Sequence, residues 1–113
     1  MINVFHNKNF TDWKSGEEIN QFDLLMVAQV RSSHLEKAFQ MTNSVEQGWW
    51  IENHGEDLRI DQKLLVQKRG FRSTSVGDVL VIVERQLWYV VSAVGFKQLL
   101  PVLKEVENDS PED

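Results

Sequence analysis

The sequence predicts a small α+β domain, an antiparallel sheet with a C-terminal β-hairpin and one main helix packed on one face. Three observations predict it. Two runs rich in valine, isoleucine and aromatic residues, Val79–Val83 and Leu87–Val94, are joined through Glu84-Arg85-Gln86, which is hairpin spacing. The continuous apolar stretch Leu24–Val30 (LLMVAQV) is too short for an uncapped helix and reads as a strand buried on most of both faces. Ser33 and Glu36 stand in the S-x-x-E spacing of a capping box, and Leu35, Ala38, Phe39 and Thr42 then recur at helical spacing.

In chain order, Ile2, Val4 and Phe5 suggest a short edge strand. Phe10 and Trp13 read as anchors of an otherwise irregular segment, and Ser15-Gly16 marks a turn. The strand at Leu24–Val30 leads into a helix over His34–Thr42, with Asn43 as a terminator able to take a left-handed conformation. Gly48-Trp49-Trp50 and Asn53-His54-Gly55 read as loop, and Leu64-Leu65-Val66 as either a short strand or a helical turn. A connection this long is either functional or conceals an element. Ser73 to Asp78 has turn chemistry, with hydroxyls able to bond nearby amides and a glycine able to take positive φ. The hairpin follows, its turn type undetermined because Asn-Gly is absent, and Gly95-Phe96 closes its second strand. From Lys104 onward the acidic, proline-containing tail is expected to be disordered, leaving one domain over residues 1–103.

Composition narrows the function classes. At 113 residues, 42% of them hydrophobic, the chain can build one core but not two. No apolar run approaches a membrane span, and MINVFHNKNF has neither the basic nor the apolar region of a secretory signal. With no cysteine, disulfides, thiolate metal sites and cysteine nucleophiles are excluded, and a cytoplasmic setting is expected. The net charge of −5 disfavours non-specific nucleic-acid binding, yet Arg59, Lys63, Lys68, Arg69 and Arg72 fall in one short window.

The run Arg72-Ser73-Thr74-Ser75-Val76-Gly77-Asp78-Val79, followed by Tyr89-Val90-Val91 and Val94-Gly95-Phe96, resembles a pattern in small bacterial and phage proteins of unknown function. It is also similar to the YodL-like domain of conjugative-element proteins, where an S-x-S-V-x-D turn precedes two strands and a terminal G-F. Upstream, Leu35 to Phe39, Thr42-Asn43 and Trp49-Trp50 look like the L-E-x-A-F…T-N…W-W segment of the same small proteins. The resemblance spans roughly residues 24–99 and implies a stand-alone α+β domain in a phage or mobile-element context. It brings no activity, cofactor or catalytic residue.

Each candidate constellation has two readings. Arg72 with Ser73, Thr74 and Ser75 before Gly77-Asp78 suits an anion such as phosphate. The same residues also make a corner in which hydroxyls satisfy turn amides and Asp78 caps the start of the hairpin. Trp49 and Trp50 form either a stacking or partner-binding platform or a core plug and its lid. Neighbours in an extended segment point to opposite sides, so one buried and one exposed ring is expected. The window from Arg59 to Arg72, Lys68 and Arg69 included, tracks a phosphodiester backbone or is a solvated face. His6, His34 and His54 lack metal-binding spacing. His54 beside Glu52, Glu56 and Asp57 has the makings of a general base, but a charged surface loop explains it as well. Ser73 and Ser75 lack the strand–turn–helix elbow of a serine nucleophile.

These readings favour a non-catalytic interaction or regulatory module with a protein partner, and less strongly a nucleic acid, acting through residues 49–50 and 59–75. No cofactor, metal or membrane association is implied. The alternative is a binder of a small anionic ligand, or a minor enzyme, using the Arg72–Asp78 turn and a nearby histidine.

Overall fold

The computed structural model describes residues 1–43, 48–50, 56–68 and 70–99. Asn53-His54-Gly55, Arg69 and the acidic tail lie outside them. Six strands form one antiparallel sheet: β1 (Ile2–Asn7), β2 (Leu24–Val30), β3 (Leu58–Ile60), β4 (Val79–Ile82), β5 (Leu87–Ser92) and β6 (Gly95–Leu99), in the order β3-β2-β1-β4-β5-β6. Helix α1 (Leu35–Met41) packs on one face, and a second short helix, α2 (Gln62–Lys68), follows β3. The α+β class with one main helix holds, and no helix among the described residues is long and apolar enough to cross a membrane.

The expected hairpin forms from β4 and β5, with Val79 opposite Val90 and Ile82 opposite Leu87. Val83 leaves the strand for a 3-10 turn over Val83–Arg85, closed by Gln86 in the left-handed region at φ +53°. Asn-Gly is therefore not needed here, because Gln86 supplies the positive φ. The second strand stops at Ser92 rather than Val94. Ala93-Val94 turn the chain, and Gly95 at φ +124° opens β6 instead of closing β5.

The N-terminal segment corrects a second expectation. Far from an edge, β1 lies between β2 and β4, and Ile2 and Val4 are fully buried. Cross-strand partners share a face. Ile2 thus joins Val30 and Ile82, and Val4 joins Ala28 and Leu80, on the side that carries α1. Between Val4 and Phe5 the register skips Val27, a bulge that puts an extra residue into β2 and re-aims its lower end. On the opposite face Phe5 stacks on Trp88, with ring centroids 5.9 Å apart.

The helix sits where its apolar spacing puts it, one residue shorter at each end. The Ser33–Glu36 box does not form. His34 is the N-cap without a side-chain cap bond, and its amide donates to Ser32 Oγ at 3.0 Å. Nor does Asn43 end the helix, since Thr42 is its C-cap. The Thr42 hydroxyl donates to Ala38 O at 2.9 Å, and Thr42 O accepts from the Thr74 amide at 2.8 Å. That last bond ties the helix end to the corner before β4.

The ambiguous stretch resolves into β3, only three residues long, and α2. Asp61 starts α2 as an N-cap would, its Oδ1 accepting from the Leu64 amide at 2.9 Å. Leu64-Leu65-Val66 is thus helical.

Candidate functional site

The corner leading into β4 is built around a buried carboxylate. Asp78 is completely inaccessible to solvent, and its two oxygens accept four hydrogen bonds. Oδ1 takes the Asn7 amide at 2.8 Å and Arg72 Nη2 at 2.7 Å; Oδ2 takes Arg72 Nη1 at 2.6 Å and the Ser75 amide at 2.8 Å. Arg72 also donates to Ser73 O and Asn7 O, so four of its five N–H donors are used within the protein. Its guanidinium lies 3.5 Å above the centre of the Phe10 ring, which makes Phe10 a real anchor of the N-terminal segment.

Two hydroxyls at this corner have partners other than turn amides: Thr74 Oγ1 lies 3.0 Å from His6 Nε2, and Ser75 Oγ donates to Ser73 O at 3.1 Å. Asp78 bonds a turn amide as expected, that of Ser75. Gly77, at φ +98°, is held under the Phe10 backbone, where an added Cβ would meet Phe10 O at 3.1 Å.

Trp49 is the buried ring of the pair, stacked on Phe71 at 5.7 Å, with its indole N–H given to Arg72 O at 2.9 Å. Trp50 is half-buried rather than exposed. Its ring lies against Gly48 and Gly70, too close for a side chain at either, and its N–H goes to Phe71 O at 3.0 Å. Both tryptophans are thereby committed to holding the segment that carries Arg72.

The basic window does not form one stripe. Arg59 alternates with the inward-facing Leu58 and Ile60 and so belongs to the opposite sheet face. Lys63 is exposed on α2, and Arg72 is consumed by Asp78. Among the described residues of the window, Lys68, at the end of α2, is the one that shares a cleft with a cation from elsewhere, Lys8, in the turn after β1. These two exposed lysines line a cleft of about 290 Å³ between β1, the start of β2 and the Lys68–Arg72 segment. Its apolar lining includes Phe10, Leu25, Val27 and Phe71. A wider hollow of about 490 Å³ adjoins it along α2 and shares Lys8, Leu25 and Lys68 with it. Among the described residues neither lysine has an ion-pair or hydrogen-bond partner for its ammonium group.

His6, weighed in the sequence only as a metal ligand, forms part of the cleft wall, and Lys8 is a lining residue for which the sequence offers no reading. Burial pushes its pKa down from 6.5 to about 4; the nearby Asp78 opposes this, and Arg72 and Lys68 reinforce it. The ring is therefore neutral at pH 7. Its edges meet Trp49 and Phe71. Nε2 faces Thr74, whereas Nδ1 has no hydrogen-bond partner among the described residues. Two signals were present in the sequence: alternation places His6 on the same side as Ile2 and Val4, and the following Lys8 adds charge. Nothing local connects them to Lys68.

Among the described residues no three His, Asp or Glu side chains come together to hold a metal ion. Ser73 and Ser75 do not line the cleft, so the arginine and a histidine share a concavity without the hydroxyls expected beside them. Comparison of the chain with protein-family models, with curated proteins and with solved structures gives no match in any of the three.

Proposed function

We propose that the protein is a non-catalytic binding module whose working surface is the Lys8–Lys68 cleft. The observation that carries this reading is a pair of exposed lysines, without partners among the described residues, at the rim of a partly apolar concavity. Charges that stabilise a fold are usually paired or freely solvated, and a cationic rim above apolar surface is what recognition requires. Catalysis gains less support. The hydroxyl at His6 belongs to buried Thr74, and the Asp78 carboxylate nearby is saturated by Arg72 and two amides. Among the described residues, a base, a nucleophile and an orienting acid are thus not assembled on an accessible face. Small anionic ligands and acidic partner segments both fall within this reading. The phage or mobile-element setting proposed with it rests on the Arg72–Val79 resemblance alone.

Hydrogen exchange of the protein mixed with native cell extract tests the location. Slowed exchange at residues 6–10, 25–27 and 64–72 is expected, and it should vanish in the Lys8→Ala/Lys68→Ala variant. Protection confined to β6 or to the Phe5–Trp88 face would overturn the proposal.

A further inference from the structure

Resting on that reading of the cleft, we propose that its ligand is a small amphiphilic organic anion, with an oxyanion head between Lys8 and Lys68 and a flat or acyl body on Leu25, Val27 and Phe71. Four features of the structure lead to this chemistry.

The cleft is divided in character. Its rim carries two ammonium groups without partners among the described residues, and its floor is aliphatic and aromatic. An inorganic anion would meet the rim and leave the floor wet. A neutral apolar molecule would cover the floor and leave both cations unanswered. Only a ligand with both parts gains from both, by burial of apolar area and by charge-assisted hydrogen bonds.

Arg72 closes one end of the cleft without contributing a free charge. Its guanidinium is neutralised by Asp78 and packed on Phe10, so it presents a rigid planar wall rather than a mobile anion hook. Among the described residues, the charge available to a ligand is therefore that of the two lysines, enough for one oxyanion group. His6 lines the wall as a neutral ring held in place because Nε2 is engaged by Thr74.

The size of the cleft fits a small molecule. Its inner part holds about 290 Å³ and opens into the hollow of about 490 Å³ beside α2, within the range of organic-ligand sites. The surroundings exclude a long polyanion. On the other side of Asn7 a third hollow is lined by Asp12, Glu17, Glu18 and Asp23. A nucleic-acid strand continuing past Lys8 would run onto these carboxylates, and such binding needs a succession of cations, of which the described residues of the cleft supply two free ones.

Titration of the full chain with 1-anilinonaphthalene-8-sulfonate, an aromatic sulfonate that fluoresces in apolar surroundings, tests the inference. Saturable one-to-one binding is expected, weakened about tenfold in Lys8→Ala/Lys68→Ala, which corresponds to the loss of two charge-assisted contacts. Lys63→Ala should bind like the parent, since Lys63 lies outside the cleft. Octanoate should displace the dye, whereas inorganic phosphate and a twelve-nucleotide oligothymidylate should not. Equal affinity in the double variant, or displacement by phosphate or oligothymidylate in preference to octanoate, would overturn it. Absence of saturable dye binding, with extract still slowing exchange at the cleft, would discard the amphiphile and leave the cleft standing as a binding surface.

Discussion

Arg72 stands on the border between two regions that treat charge in opposite ways. On its inner side, the corner from Arg72 to Asp78 answers every charge and nearly every donor within the chain: four bonds to one carboxylate, two more to carbonyls, and a ring beneath the cation. On its outer side, Lys8 and Lys68 face solvent across an apolar floor with no counterion among the described residues. The corner has the more distinctive sequence, yet its chemistry is spent on holding β1, the tryptophan segment and β4 together. The cleft is drawn from unremarkable residues of three separate elements. Distinctive motif chemistry and available chemistry are thus different properties, and burial separates them.

The contrast is open to direct attack. The largest effect is expected at the corner, where Asp78→Ala strands a half-buried guanidinium and two amides. Breaking a buried pair in this way costs about 3–5 kcal/mol, to be read as a lower urea midpoint at unchanged slope. A loss under about 1 kcal/mol would mean that the corner is not the fold's tie point.

Next in size is a pH effect centred on His6. Below 6.5 the unfolded chain takes up a proton that the native ring refuses until about 4, so stability falls as pH is lowered through that window and rises again with pH. The span corresponds to about 3 kcal/mol, measurable by urea melts at pH 7, 5.5 and 4. His6→Gln should flatten the slope, and an unchanged slope would place the titration elsewhere.

Gly77→Ala should cost about 2 kcal/mol, combining left-handed strain with a 3.1 Å approach to Phe10 O. Gly95→Ala has the strain but open space around it, and should cost about 1 kcal/mol. A thermal melt of the two variants side by side gives the difference. Smallest of all, Lys8→Ala/Lys68→Ala should leave stability within about 0.5 kcal/mol of the parent. A destabilisation comparable to that of Asp78→Ala would erase the distinction between the two regions.

Legibility followed the range over which each feature is determined. The β4–β5 hairpin, β2 and α1 were readable because short-range signals specify them: β-branched runs, a compact apolar stretch, a helical stripe. The position of β1 was not, because its neighbour β4 lies at the far end of the described chain and an isolated Ile-x-Val pattern looks the same at an edge and at the centre. Three residues are too few for β3 to stand out. In β6, Gly95 reads from sequence as a stop, although a left-handed glycine equally well starts the return strand. At the site, Arg72 and Asp78 were recognised as notable, but which way their charges face is a tertiary fact. The meeting of Lys8 and Lys68 at one cleft depends on α2 lying near the turn after β1 and the start of β2, a placement that no local pattern encodes.

The central position of β1 also governs when the sheet can assemble. Its register with β4 pairs Val4 with Leu80, and the Met1 ammonium reaches Glu84, 83 positions away, at 3.0 Å. On a ribosome, β1 emerges well before β4 and must wait unpaired on one side until the chain between them has followed. Contacts of such long range slow folding relative to a domain built from neighbouring hairpins. During that interval the open flank of β1 is a strand edge exposed to other nascent chains.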